Sequence, residues 1–597
     1  MRTELGELLE GATSGREALP FRTLRDTLVG MVECGHAPTE SMREALVRSL
    51  ALPHERQTKM QLTKFLALLD YFDLPLNFGP QEPVTVNALL QCCSSPRAVL
   101  SLVESYGRQF THINASTAVH RLAKIPKCPR ARTARAQLQM GPSRGQRQRS
   151  QIIGQFLAVD YKSSEAYLQL LGIVDEHLEG DMDAQGLSNI WWGFSQLGHV
   201  PSPPFVQRFE SRCLELVAET NIQAVSNILW GYQAMHLTPS ASLASTYMSQ
   251  IKVCLGQAPI TSQHIANIMY ALAHIGCSPD QELLTLLCEE ASCITESFLC
   301  CELVMVMIAL KRLQFFPAPP VMHALEGQVV QRVHRFTHRE LSLILWSFAG
   351  LEYRIADETL DRCDSRLQAR MEECSAEDLA RVFHAYAKLM HVPQPPQVEA
   401  LRRSLRRRAG ELEPNHICCI CWALANLDLG SFREELLQVC NTAAMRVTEF
   451  DSGQIAWFMW SIASLNLQPR AAALERILQE VHQRMYYFSE ADLVGVVWAC
   501  AKVNVMTFPD LGRRLLLRSE ESAQYHLDRL TPGKITSLLW SYATAGHVPN
   551  PDLLQGMLRQ FRSKRAQFFP VQIESVSWAT RRLRELQHAE MAAAEAA

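Results

Sequence analysis

Residues 221–239 read NIQAVSNILWGYQAMHLTP, and their spacing predicts an amphipathic helix. Asn221 is a good N-cap, because its side-chain oxygen can accept a hydrogen bond from an unpaired N–H of the first turn. Val225, Ile228, Leu229 and Tyr232 fall at i, i+3, i+4 and i+7 and share one face. Trp230 and Leu237 widen that apolar surface, and Gly231 is small enough to admit a neighbouring helix. Pro239 ends the helix or opens the next one.

The stretch recurs. With Asn227 as marker, the equivalent positions are Asn189, Asn227, Asn267, Met305, Leu343, Arg381, Cys419, Trp457, Gly495, Ser537 and Ser575. Successive markers are 38 residues apart, except for one step of 40 and one of 42. Three residues after the marker stand Trp192, Trp230, Tyr270, Ile308, Trp346, His384, Trp422, Trp460, Trp498, Trp540 and Trp578. Eight of the ten Trp therefore share one position. A fixed period of this size marks a repeat array. Such an array also explains how 597 residues fold without one oversized core, since each unit packs only on its neighbours.

Each unit reads as a helix A, a turn and an amphipathic helix B. Helix A starts show as caps six residues before a marker: Asp183, Asn221, Thr261, Thr337, Ser375, Asp451, Ser489 and Thr531. Thr337 with Glu340 and Asp451 with Gln454 predict capping boxes; Ser375 with Asp378 and Ser489 with Asp492 are shorter acidic versions. The turns carry Gly198 and Pro201, Pro239, Gly276 and Pro279, Pro393, Pro469, and Gly546 with Pro549. No sustained period-2 pattern supports strands. The expected fold class is all-α, an α-solenoid of 38-residue helix-turn-helix repeats.

Five segments are expected. Residues 1–125 form an N-terminal helical section of degenerate repeats, with helices at 24–38, 62–75 and 112–125. Residues 126–150 are a basic linker, expected to be disordered: Lys127, Arg130, Arg132, Arg135, Arg144, Arg147 and Arg149 meet no acid. The linker reads either as a solvated connector or as an arm that tracks a phosphate backbone. Lead-in helices fill 151–182, the eleven-repeat solenoid runs over 183–587, and 588–597 is a helical tail.

The chain is 47% hydrophobic and 20% charged, ordinary for a folded protein. Its net charge of −3 excludes a uniformly basic nucleic-acid binder, so any such role must rest on a local patch. Cys300, Cys301, Cys418, Cys419 and Cys421 lie inside repeated helices and are expected to be reduced core thiols, with no metal site. No apolar run reaches membrane-spanning length. The N-terminus MRTELGELLEG carries acids that an organelle transit peptide should lack, so no clear transit peptide is expected.

Comparing columns separates frame from surface. The position after the marker is always Ile, Val, Leu or Phe, and the fourth after it is always Gly, Ala or Ser. The Trp column is expected to belong to the core, as a ladder between units, with His384 a core histidine. Offsets −4, 0, +4 and +7 lie close to one stripe, and the small +4 residue is expected to leave backbone accessible there. The stripe changes from unit to unit on a constant frame. Its candidate RNA contacts are Gln185, Asn189, Gln196, Gln223, Asn227, Gln263, Asn267, His274, Arg312, Arg381, Lys388, Asn426, Lys502 and Arg582. Arg130, Arg132 and Arg135 of the linker join them. Amides can bond base edges bidentately, and Lys or Arg can hold phosphates or stack on bases. The alternatives are a solvated face or a surface for a protein. Arg402, Arg403, Arg406, Arg407 and Arg408 on a helix B form either a second basic patch or a solvated face.

LSNIWWGFSQLGHVPSP, VSNILWGYQAMHLTP and IANIMYALAHIGCSP resemble the helix A signature of octotricopeptide repeats of organellar RNA-binding proteins. They are also similar to the heptatricopeptide-type repeats of FAST-kinase and RAP-domain proteins, and HINASTAVHRLAKI resembles the segment preceding the array in RAP-type proteins. The resemblance covers roughly residues 110–587. It implies an α-solenoid that binds single-stranded RNA in the mitochondrial matrix or a plastid. The processes implied are RNA stability, processing, ribosomal RNA maturation or translation, with ribosomal or RNA-processing proteins as further partners. No RAP domain is expected, and the Asn marker is lost after Asn267. No nucleophile with a placed base, metal set or phosphate-cradling loop is visible. The chain is therefore expected not to be an enzyme, and to need no cofactor, membrane or small-molecule substrate. A protein scaffold in a ribosomal or RNA-editing complex is the alternative.

Overall fold

The computed structural model describes residues 21–34, 43, 59–72, 74, 76, 78, 81–125, 161–257, 259–427 and 430–596. Among these residues every regular element is a helix, so the fold is all-α. The chain divides into two compact units, Met1–Phe298 and Leu299–Ala597.

The first unit contains α1 (Phe21–Cys34), α2 (Lys59–Tyr71), α3 (Pro83–Cys92), α4 (Pro96–Tyr106), α5 (His112–Lys124), α6 (Glu165–His177), α7 (Ala184–Leu197), α8 (Pro203–Glu215), α9 (Ile222–Ala234), α10 (Ala241–Leu255), α11 (Ser262–Leu272) and α12 (Gln281–Cys293). The second contains α13 (Cys300–Leu313), α14 (Pro319–Arg332), α15 (His338–Gly350), α16 (Asp357–Ala369), α17 (Ala376–Leu389), α18 (Pro395–Arg408), α19 (Pro414–Leu427) and α20 (Arg433–Met445). It continues with α21 (Ser452–Ser464), α22 (Ala471–Gln483), α23 (Glu490–Lys502), α24 (Pro509–His526), α25 (Pro532–Ala545), α26 (Pro551–Ser563) and α27 (Pro570–Ala596). From α3 onward the odd-numbered helices are A helices and the even-numbered ones B helices. Within each unit A packs on A and B on B, in chain order, and the A layer is the more tightly packed. That sequential two-layer stacking is the solenoid arrangement.

Local chemistry explains the boundaries. Asp183, Asn221 and Thr261 accept hydrogen bonds from the N–H groups of Gly186, Ala224 and His264. Complete capping boxes form at Thr337 with Glu340, Ser375 with Asp378 and Asp451 with Gln454. At Ser489 the forward bond from Asp492 N is made and Ser489 Oγ donates to Asp492 Oδ2, and Thr531, followed by Pro532, makes no side-chain cap. Six B helices open on proline, where the missing N–H is no loss. The 42-residue step is taken up by α24, which has 18 residues where the other B helices of the array have 13 to 15.

The A–B turn has a constant conformation that the sequence hides. The residue nine after the marker is left-handed in every described repeat of the array that has a following B helix. It is Gly198, Gly276 and Gly546 in three of them, but His236, Gln314, Glu352, Met390, Asn466 and Asn504 elsewhere. The tertiary position of helix B imposes the turn even where no glycine relieves the strain.

A second hidden device is a buried acid on helix B that clamps the next turn. Glu326 accepts from Tyr353 Oη at 2.8 Å, Thr359 Oγ1 at 2.7 Å and Ala356 N at 2.8 Å. Half-buried Glu210 does the same for Tyr232 Oη at 2.8 Å and Ser240 N at 3.1 Å. Asp364 binds Tyr386 Oη and His391 Nε2, and Glu520 binds His547 and Asn550 N. Burial and the neighbouring carboxylates push the Tyr232 and Tyr386 hydroxyls far up, so both stay neutral donors.

α5 docks on α7 as an A helix, and α6 packs on α5 as a B helix. Residues 126–160, which include Arg130, Arg132 and Arg135, thus connect the two helices of one repeat and lie outside the described residues. The cysteine expectation needs correction. Cys418 and Cys421 are buried, but Cys301 is exposed and Cys300 and Cys419 are only half-buried. Among the described residues no three His, Cys, Asp or Glu side chains converge to hold a metal. No described helix is long and apolar enough to cross a membrane.

Candidate nucleic-acid interface

Within each unit the A helices present the same kind of face, and helical phase decides which residues stand on it. At about 100° per residue, offsets −4, 0, +3 and +7 fall within roughly 60° of arc, whereas +4 lies some 40° beyond the marker on the other side. The exposure pattern follows. The −4 residues Gln185, Gln223, Gln263, Cys301, Arg339, Glu377 and Asn415 are exposed, and the markers are half-buried or exposed. The small +4 residues are all buried. A Cβ on Gly231 would lie 2.4 Å from Trp191 Cδ1 and 3.2 Å from the Trp191 carbonyl oxygen, and one on Gly193 would lie 2.6 Å from Val119 Cγ1. The +4 column is therefore the contact with the preceding A helix, not accessible backbone.

The ring column takes its place on the face. Trp192, Trp230, Tyr270, Trp346, His384, Trp422, Trp460, Trp498 and Trp540 are half-buried, and Trp578 is 41% exposed. The expectation of a core column is corrected: the fully buried tryptophan is Trp191, one residue earlier. Ring pairs do run between neighbouring A helices, in segments, and Ile308 interrupts the column. Ring centroids of neighbouring A helices lie 5.1 Å apart for His120–Trp192, 6.0 Å for Trp230–Tyr270, 5.4 Å for His384–Trp422 and 6.1 Å for Trp422–Trp457. Trp457, a marker residue, is 50% exposed.

Lysines lie over these rings. Lys311 Nζ sits 2.6 Å from the Trp346 ring centroid, and its stem crosses Gly350, where a Cβ would come within 2.2 Å of Lys311 Cε. Lys502 Nζ is 5.8 Å from Trp498 and 5.4 Å from Trp540, and Lys124 Nζ is 5.9 Å from Trp192. Such cation–π contacts need no acid partner. Burial, then Arg312 and Arg381, hold the Lys311 ammonium down to about 8. Burial, then Lys124 and Arg121, hold His120 down to about 4. His384 is lowered for the same reasons, by burial and then Lys311 and Lys388. These two imidazoles thus enter the ladder as flat neutral rings.

The sequence candidates divide by environment. Gln185 Nε2 donates to Asn189 Oδ1 at 3.1 Å, and Asn227 Nδ2 donates to Ser188 Oγ at 3.1 Å, so two of the amides are oriented by neighbours. Gln223 and Gln263 are exposed, Asn267 and Gln196 half-buried. His274 stacks on Tyr270 at 4.1 Å and bonds its carbonyl. Asn426 is exposed but donates to the Trp422 carbonyl at 2.7 Å. Arg312, Lys388 and Lys502 are exposed. Arg381 is instead held by Glu377 and Asp378, and Arg582 pairs with Glu585 at 3.2 Å. On the B side, Arg402 and Arg406 converge on Glu435, Arg407 reaches Glu372 and Arg408 reaches Glu411. That cluster is largely neutralised and is not a free basic patch.

Across the four face offsets of eleven repeats there are six cations (Arg312, Arg339, Arg381, Lys388, Lys502 and Arg582) and one acid, Glu377, in a chain of net charge −3. Planar rings with unpaired cations between them can stack on flat ligands and hold anions at once.

Comparison with known proteins gives two partial family matches. Residues 170–358 match the model of the RNA-editing substrate-binding complex 6 protein, and residues 286–467 match the N-terminal domain of the Tbc2 translation factor. No curated protein matches the chain. Similar solved structures include importin beta (12% identity, TM-score 0.30, covering 94% of this chain and 92% of that one). They also include the pentatricopeptide repeat protein PPR10 in complex with an 18-nt psaJ RNA element (11% identity, TM-score 0.29, covering 99% of this chain and 94% of that one). A homology model of the AP-3 complex is similar at 11% identity and TM-score 0.32, covering 98% of this chain and 92% of that one.

Proposed function

We propose that the chain binds single-stranded RNA along its A-helix faces and acts in an organelle, the mitochondrion or alternatively a plastid. Its effect is occupancy: covering a segment of transcript or ribosomal RNA and so governing stability, processing, maturation or translation, with RNA-processing proteins as further partners. The observation that carries this reading is the partly exposed ring ladder with cations between its rungs on a face that holds a single acid. Unstacked bases offer flat faces to such rings and phosphates to the cations. The descriptions of the two matched families, an RNA-editing complex protein and a translation factor, support RNA as the partner. Gln185, Asn189, Gln223, Asn227, Gln263 and Asn267 are the candidates for base edges, and Arg312, Lys388 and Lys502 those for phosphates.

Crosslinking the protein in its own cells and sequencing the attached RNA tests this. One short footprint in an organellar transcript or ribosomal RNA is expected. No enriched RNA, with a steady set of co-purifying proteins, would replace RNA binding with the scaffold reading.

A further inference from the structure

The two units carry different faces, and the difference is chemical. In the first unit the markers are Asn189, Asn227 and Asn267, preceded at −4 by Gln185, Gln223 and Gln263. In the second unit no marker is an amide. Met305, Leu343 and Cys419 offer no strong hydrogen-bonding group, and Gly495 has no side chain. Arg381 is tied to Glu377 and Asp378, Trp457 adds a further ring, and Ser537 and Ser575 carry only small hydroxyls. The amides on this unit's face are Asn415 at −4 and Asn426, which donates to the Trp422 carbonyl.

We propose that the second unit grips RNA by stacking bases on its tryptophans without reading their identity, while the amide face of the first unit reads base edges. This rests on the RNA-binding reading above and says how the work is divided. Every base has a stackable face, so a ring track tolerates sequence; an amide pairs bidentately with adenine and rejects the wrong edge.

The geometry fits a track whose rings bases lie over rather than enter. Adjacent rings stand 5.4 and 6.1 Å apart in the second unit, at 30° and 39°. A base inserted between two rings needs roughly 7 Å, twice the about 3.4 Å spacing of stacked bases. The exposed outer ring surfaces, such as that of Trp457, are the ones available. In the free chain Lys311 and Lys502 cover ring faces. An arriving base takes over the ring and leaves the ammonium to pair with its phosphate. Gly350 matters here, because only a residue without Cβ lets the Lys311 stem lie flat towards Trp346.

The test uses the full chain, a fluorescein-labelled random-sequence RNA pool, and the sequence that wild type enriches from it. Trp457→Ala with Trp498→Ala should weaken binding to the pool and to the enriched RNA by the same factor, roughly tenfold or more. The Trp→Phe counterparts keep a ring and should recover most of it, which separates stacking from misfolding. Asn189→Ala with Asn227→Ala should cut the preference for the enriched RNA over the pool by roughly tenfold. Intrinsic tryptophan fluorescence should be quenched by both RNAs in wild type. If wild type binds no RNA, both readings fall. If it binds but the Trp variant loses only the enriched sequence, or the amide variant weakens the pool as strongly, the division of labour is overturned and RNA binding stands.

Discussion

Gly231→Ala should destabilise its repeat, although the same change in most helices stabilises. Replacing a mid-helix glycine with alanine gains about 1 kcal/mol in backbone propensity. Here the new methyl meets Trp191 Cδ1 at 2.4 Å, Nε1 at 3.0 Å and the carbonyl oxygen at 3.2 Å. Trp191 cannot yield, since it is fully buried, stacked on Phe209 at 4.0 Å and flanked by Tyr232 at 4.7 Å. Overpacking of this kind costs about 1–3 kcal/mol, more where backbone must move. With Trp191 unable to yield, the cost falls in the upper part of that range, about 2–3 kcal/mol, so the net expectation is a loss of about 1–2 kcal/mol, or roughly a five- to thirtyfold rise in local opening. Gly495 is the internal control. It sits mid-helix in α23 with no atom within 4 Å of its ideal Cβ, so Gly495→Ala should gain close to the full 1 kcal/mol. An array of repeats need not unfold in one step, so amide hydrogen exchange across α7, α9 and α23 is the proper assay. Equal gains in protection for both variants would refute close A–A packing through the small column.

Met390→Gly should raise the stability of the α17–α18 turn by about 0.5–1 kcal/mol, read by amide hydrogen exchange in α17 and α18. A left-handed L-residue costs about 1–2 kcal/mol, glycine returns part of this as unfolded-state entropy, and the Met390 side chain is 73% exposed. Glu326→Ala strands the Tyr353 and Thr359 hydroxyls and the Ala356 N–H, and should cost about 3 kcal/mol by hydrogen exchange in α14–α16. Replacing Arg312, Lys388 and Lys502 with Ala should lower the slope of log affinity for RNA against log salt by about 2, because each phosphate contact on a single strand contributes about 0.7. Lys311 is held down to about 8 against its ordinary 10.5, so its charge opposes folding below about 8 and this cost is relieved as pH rises towards 10.5. RNA binding that uses that charge should weaken as pH rises through about 8, and anisotropy titrations of Lys311→Gln should show the dependence flattened.

Much of the fold was legible because each repeat signals its own ends. Ser, Thr, Asp or Asn six residues before a marker cap the helices in seven of the eight places where they are found; Thr531, followed by Pro532, is the exception. The left-handed turn was not legible. Gly198, Gly276 and Gly546 advertise it, but His236, Gln314, Glu352 and Met390 adopt it against their own preference. The acid clamp was invisible for another reason. Glu326 and Tyr353 are 27 residues apart and belong to different repeats, and nothing local to Glu326 distinguishes it from a solvated charge.

The candidate face is half-legible, because hydrophobicity and helical phase point opposite ways. Hydrophobicity alone predicts a buried +3 tryptophan column and accessible backbone at the small +4 residues. Phase assigns them the other way: +3 falls roughly 60° to the side shared with −4 and +7, while +4 falls roughly 40° to the opposite side. The two columns are nonetheless coupled. Gly193 and Gly231 let adjacent A helices approach until a methyl would clash, and at Gly193 that closeness helps bring the His120 and Trp192 rings to 5.1 Å. A bulky +4 residue would spread the ladder as well as strain the core. Packing thus fixes the spacing of the rungs, whereas the −4, 0 and +7 columns change residue type from repeat to repeat, as a surface that reads a linear polymer must.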